Sequence, residues 1–152
     1  MSYLLGAEAP AGCLFCRVGA EPAASDCNNL VLFRRPAAVV MLNRYPYSAG
    51  HLMVAPVAHV AAPDALGEAD RIALHELLSS ALGRLRDAVR PDGMNLGMNL
   101  GKIGGAGFAD HCHWHLVPRF AGDTNFMPVV ADTRVVPEAL EATWERLRPF
   151  FS

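Results

Sequence analysis

Apolar positions in this chain form short runs first, then a long helical stripe, then short runs again. Leu30 to Arg34 and Ala37 to Leu42 read as two short strands broken near Pro36. His51 to Val57 reads as a third, with Pro56 closing it. Between the second and third, Tyr45-Pro-Tyr-Ser-Ala-Gly50 has the chemistry of a turn. Pro63 and Asp64 then open a helix, since Asp is a good cap and Glu68 suits a first turn. Along it Leu74, Leu77, Leu78, Ala81, Leu82, Leu85 and Val89 recur at helical spacing, a stripe that reads as core packing. Pro91, Asp92 and Gly93 end it. Met94 to Leu100 reads as a strand, Gly101 to Gly107 as a glycine-rich loop, and His113 to Arg119 as another strand. Pro137 opens a last helix through Leu147, with Leu140, Trp144 and Leu147 on one stripe. Residues 1–12 are expected to be loose, and the Gly/Ala/Pro/Ser/Asp stretch from Cys16 to Asn29 reads as loop.

Strands joined by turns favour an antiparallel α+β arrangement over a doubly wound parallel sheet. No repeat, linker or low-complexity segment divides the chain, and 152 residues suit one domain. With 52% of residues hydrophobic, one sizeable core is within reach without staples. The formal net charge is −2 and Lys and Arg form no run, which argues against a grip on long nucleic acid. A small nucleotide, which one loop can hold, stays open. No apolar run approaches the roughly 20 residues of a membrane span. Met1 to Pro10 carries an acidic residue and no basic start, so no secretory signal is expected. Cys13, Cys16, Cys27 and Cys112 then read as thiols or metal ligands, and a reducing cytoplasm is the expected location.

Half of the six histidines lie in one alternating stretch, Asp110-His111-Cys112-His113-Trp114-His115-Leu116-Val117-Pro118. On a strand this places His111, His113 and His115 on one face and Cys112, Trp114 and Leu116 on the other. Alternate residues lie about 6.6 Å apart along a strand and the outer pair about 13 Å. A zinc–nitrogen bond is only about 2.0–2.1 Å, so one ion does not easily use all three rings. At least one histidine needs another task. A neutral imidazole is well populated near neutral pH and can attack phosphorus, splitting one displacement into two easier ones. Separately, Cys13-x-x-Cys16 has the spacing of a zinc half-site, with a redox pair or two ordinary thiols as alternatives.

His111-x-His113-x-His115, followed by Leu116 and Val117, resembles the signature of the histidine-triad (HIT) family. The likeness extends to Asn43-Arg-Tyr-Pro-Tyr-Ser-Ala-Gly-His51-Leu-Met-Val-Ala-Pro56-Val-Ala-His59 and to Asn95-Leu-Gly-Met-Asn99-Leu-Gly101 with Gly104-Gly105-Ala-Gly107. Pro118-Arg119 with Gly122-Asp123-Thr-Asn125-Phe126-Met-Pro128 resembles the branch acting on diadenosine tetraphosphate. The resemblance implies a HIT-like α+β fold: about five antiparallel strands, one long helix and a C-terminal helix. That fold would form a single domain over 1–152, with its core at about 13–130 and the last helix at about 137–150. It implies His113 as nucleophile, His115 on the same phosphate, and His51 as an additional site histidine. Asn99, Gly105 and Gly107 would hold the phosphate, and Asn43 the ribose hydroxyls. Lys102 is nearby but reads as a solvated surface residue.

In zinc-binding members the remaining ligands match His59 and His111, which would complete a closed, structural Cys13–Cys16–His59–His111 site. Cys27 and Cys112 are then bystanders. The chain has no glutamine, whereas some dinucleotide hydrolases of the family carry one shortly before the first triad histidine. This departure, with Asp110 and the Gly122–Pro128 stretch, favours phosphorolysis over hydrolysis. A homodimer is implied, with a small nucleotide as the substrate and neither long nucleic acid nor membrane as a partner. Competing readings are a nucleoside phosphoramidase, a nucleotide-binding regulatory module without catalysis, and a metal-centred enzyme using the triad as ligands.

Overall fold

The computed structural model describes residues 12–123 and 138–152. Five antiparallel strands make one sheet: β1 (Val31–Arg34), β2 (Ala38–Leu42), β3 (Leu52–Pro56), β4 (Gly93–Met98) and β5 (Trp114–Arg119). Their spatial order is β1-β2-β3-β5-β4, so β1 and β4 are its edges. The helices are α1 (Leu14–Ala20), the single turn α2 (Asp26–Asn29), α3 (Glu68–Val89) and α4 (Leu140–Leu147). None of the described helices is long and apolar enough to cross a membrane.

The alternation of each strand sorts its side chains between two layers. Leu32, Val40, Leu42, Leu52, Val54 and Leu116 meet Leu74, Leu77, Leu78, Ala81 and Leu85 of α3, with Leu147 and Phe151 closing the end. The stripe expected along the long helix is therefore the core. On the opposite face Val31, Val39, Met41, Met53 and Ala55 pack on Phe15 and Val18 of α1. Trp144 of α4 donates its Nε1–H to the Val31 carbonyl at 2.7 Å, tying the last helix to the β1 edge.

Three expectations need correction. Residues between Cys16 and Asn29 are not loop: α1, a 3-10 turn at Ala23–Ser25 and α2 occupy them. The Ala- and Gly-rich composition hid an apolar pair, Phe15 and Val18, that is fully buried and holds α1 on the sheet. The long helix does not open at Asp64. Pro63–Ala65 is a 3-10 turn that tucks Leu66 into the core, and α3 begins at Glu68 after Gly67. Strand pairing also starts later than the histidine alternation implied, because β5 begins at Trp114. His111 and His113 precede it. The proposed start of the last helix at Pro137, and Thr124 to Pro128, lie outside the described residues.

The turn between β2 and β3 requires glycine at position 50. Its φ is +84°, a backbone conformation that residues with a Cβ rarely adopt. This tight turn delivers His51 to the start of β3. Leu85 is wholly buried between α3 and the sheet. Leu85→Ala is expected to cost about 2–5 kcal/mol in urea unfolding, because the rigid sheet beneath it cannot close the cavity.

Candidate active site and metal cluster

β3 and β5 pair as Leu52↔Leu116, Met53↔His115 and Val54↔Trp114, and then separate. Before Trp114 the chain is held instead by the β3–α3 connection: the Cys112 N–H donates to the Val60 carbonyl at 2.7 Å. His111 reaches sideways, its Nε2–H donating to the Pro56 carbonyl at 2.9 Å. This fixes its tautomer and leaves Nδ1 as a lone pair.

That lone pair faces a compact donor set. His111 Nδ1 lies 3.3 Å from Cys13 Sγ, 3.6 Å from Cys16 Sγ and 3.2 Å from His59 Nδ1. Cys16 Sγ lies 3.2 Å from His59 Nδ1. All four ligand atoms fall within 4.8 Å of one another. Tetrahedral zinc with ordinary bonds would separate its ligand atoms by about 3.3–3.8 Å, so the set has the right size for one ion. Burial and the neighbouring Cys13 push the Cys16 thiol up to about 12. A bound cation would reverse that preference and hold thiolates. The cluster can hold a metal, and Cys27 and Cys112 stand outside it.

The other histidines form a second group. His113 donates its Nδ1–H to the His111 carbonyl at 3.0 Å, because a carbonyl can only accept. Burial lowers its pKa, only partly offset by that hydrogen bond, so the ring is neutral with a free lone pair on Nε2. His51 is fully buried, and burial with His115 and His113 nearby lowers its pKa to about 4. Its Nδ1 accepts the Tyr47 backbone N–H at 3.1 Å, so its proton sits on Nε2. That proton points at His115 Nδ1, 2.9 Å away. His115, with a pKa lowered by burial and by His113, therefore carries its own proton on Nε2. One backbone N–H thus sets the tautomers of two rings in sequence. His113 and His115 lie edge to face with centroids 4.9 Å apart.

The glycine-rich loop follows β4. Asn99 donates its Nδ2–H to the Gly105 carbonyl at 3.3 Å, bending the loop back on itself. Gly104 is required by close approach, since a Cβ would meet the Leu100 carbonyl oxygen at 2.2 Å. Lys102 and Gly107 are exposed on this loop. Asn43 sits in the turn after β2, where its Oδ1 accepts the Tyr45 N–H at 2.9 Å. Its backbone N–H donates to the His51 carbonyl at 2.9 Å.

Three aromatic residues belong to this region and were not singled out from sequence. Phe15 packs at 5.0 Å from His111 and 4.8 Å from His113, so one ring touches both groups. Phe108 meets Phe15 edge-on at 5.5 Å. Tyr47 stacks on His51 at 4.9 Å. Phe15 could have been found as the apolar residue inside Cys13-x-x-Cys16, three before Val18. Tyr47 carries no pattern of its own.

The model of the HIT domain family matches residues 25–122. The chain belongs to the HIT domain family. It is 37% identical over 122 residues to the AP-4-A phosphorylase of Mycobacterium tuberculosis strain H37Rv, covering 80% of this chain and 63% of that protein. It thus spans less than two thirds of that relative's length. It is 28% identical over 110 residues to the adenosine 5'-monophosphoramidase hnt1 of Schizosaccharomyces pombe, covering 70% and 74% of the two chains. A crystal structure of a Zn-bound histidine triad family protein from Mycobacterium smegmatis superposes with a TM-score of 0.70 at 22% identity, covering 92% and 93%. At that identity the likeness shows the fold alone, and it agrees with the five-stranded α+β arrangement.

The neutral state of His51 has a consequence for stability. Its folded pKa, about 4, lies below the roughly 6.5 of an unfolded histidine. Between these values the unfolded chain binds the proton first. The stability is therefore whole above about pH 6.5 and is lost as the pH falls toward 4. Melting temperatures measured across this range should fall more steeply for the wild type than for His51→Gln. Equal slopes would assign the proton uptake to other groups.

Proposed function

We propose that this protein transfers a nucleotidyl group through a covalent adduct on His113, cleaving dinucleoside polyphosphates such as diadenosine tetraphosphate. One observation carries the reading: His113 has its Nδ1–H committed to a carbonyl and is buried, which leaves a neutral ring with its Nε2 lone pair free. In the first step that lone pair forms a bond to the α-phosphorus. The bond from phosphorus to the bridging oxygen breaks, and its electron pair leaves with a nucleoside triphosphate. His115, with its proton on Nε2, donates a hydrogen bond to the phosphoryl or departing oxygen. His51 holds that tautomer. In the second step inorganic phosphate attacks the adduct, the phosphorus–nitrogen pair returns to Nε2, and ADP is released. Water in place of phosphate would give AMP.

Asn99 and the backbone at Gly105 and Gly107 would hold the α-phosphate, and Asn43 the ribose. Preorganised donors of this kind stabilise charge as it develops on the transferring group. The kinship with an AP-4-A phosphorylase supports the substrate and the phosphate acceptor. The kinship with a monophosphoramidase favours a second reading, in which the leaving group is an amine and the same residues act. We read the exposed β4 edge as the joint to a second copy, forming a homodimer. The four-ligand cluster would bind zinc structurally, closing α1 onto the segment before β5. Zinc there supplies cross-linking rather than chemistry, since a complete set of protein ligands leaves no position for substrate.

Incubation with diadenosine tetraphosphate, with and without inorganic phosphate, tests the reaction. ADP plus ATP that appear only with phosphate are expected. AMP plus ATP without phosphate would overturn phosphorolysis, and no turnover at all would move the amine reading forward. His113→Ala should still bind nucleotide and lose nearly all turnover; substantial residual activity would remove the covalent role. For the metal, elemental analysis should find about one zinc per wild-type chain, as expected for a closed four-ligand site. That zinc should be lost in His111→Ala and kept in His115→Ala.

A further inference from the structure

A groove of about 550 Å³ runs along β4 and β5 from His115 and Tyr47 to Arg119 and Asp123. Its volume is that of a small-molecule site. Directly paired residues of adjacent strands share a face, so Gly97 lies beside His115, as does Asn95 beside Val117. A Cβ built on Gly97 would meet no atom within 4 Å. The floor of the groove beside His115 is thus open because residue 97 has no side chain.

The far end has a different chemistry. Arg119 holds Asp123 through two hydrogen bonds of 2.6 and 2.8 Å, and donates a third to Asn95 Oδ1 at 2.9 Å. The guanidinium is paired at contact with a carboxylate and lies against the Asn95 amide, so this end is polar with its opposite charges adjacent. Such a surface suits sugar hydroxyls or the edge of a base better than a phosphate. The four residue steps from His115 to Arg119 span about 13 Å of strand. That leaves length for a polyphosphate near His115 followed by a nucleoside at Arg119.

We propose that this groove is the subsite for the departing nucleoside triphosphate, with its phosphates leaving past Gly97 and its nucleoside held at Asn95 and Arg119. The proposal rests on the nucleotidyl-transfer reading above and adds the place of the leaving group. It makes Gly97 and Asn95 specificity-determining residues for substrates with a second nucleoside. Neither is among the residues assigned above to the nucleotidyl half that bonds to His113.

The test compares two substrates that share the same AMP half: diadenosine tetraphosphate and the p-nitrophenyl ester of AMP, whose leaving group is small. The readout is the ratio of their kcat/KM values. Gly97→Val places a strand-compatible side chain in open space. It should lower the ratio by about tenfold or more, the scale of discrimination that one filled or lost contact gives. Asn95→Ala should shift the ratio in the same direction, mainly through KM for diadenosine tetraphosphate. Equal effects on both substrates in both variants, or no effect on either, would overturn the subsite while leaving the function standing. A wild-type protein inactive on both substrates would overturn the functional reading, and the subsite with it.

Discussion

The site depends on where the β3–β5 ladder stops. Pairing holds through Val54 and Trp114, and beyond them the Cys112 N–H is held by the Val60 carbonyl and the His111 ring by the Pro56 carbonyl. A continuous strand would have kept His111, His113 and His115 in a straight row with fixed separations. The early end turns His111 toward α1 while His115 stays in the sheet. One short segment therefore serves two chemistries. The cost is small, because the Cys112 N–H, displaced from the ladder, finds the Val60 carbonyl, and the buried His111 ring finds that of Pro56.

Much of the architecture was legible because it rests on period alone. The stripe from Leu74 to Leu85 and the runs that became β1, β2 and β3 needed only burial of one face or two. The segment between Cys16 and Asn29 was not legible. A seven-residue helix such as α1 has too few turns to persist on its own propensity. It exists here because Phe15 and Val18 are buried and because Cys13 and Cys16 meet His59 and His111, all of which are distant in sequence. The histidine alternation was read as a strand for the opposite reason. The pattern was right for β5 from Trp114 onward, but a strand also needs partners, and pairing with both β3 and β4 ends at Trp114, opposite Val54 and Met98.

The individual roles within the site had a different legibility. Cys13, Cys16, His59 and His111 come together in one cluster, and His51 meets His115. What no pattern announced was the order of protonation. It follows from the backbone N–H of Tyr47, a group every non-proline residue has, placed by the Gly50 turn against His51 Nδ1. Burial then keeps the rings neutral, so that the direction set by one donor persists through His51 to His115.

Phe15 lies in van der Waals reach of both His111 and His113 while its own helix packs under the sheet. The free energies of changes at these three positions will not sum, because each alters the packing that the others depend on. A redesign that treats the buried face of α1 as ordinary filler, or the histidines as interchangeable parts, will meet strong epistasis. Residues 13–18 and 111–113 form one unit of variation, to be changed together or left alone.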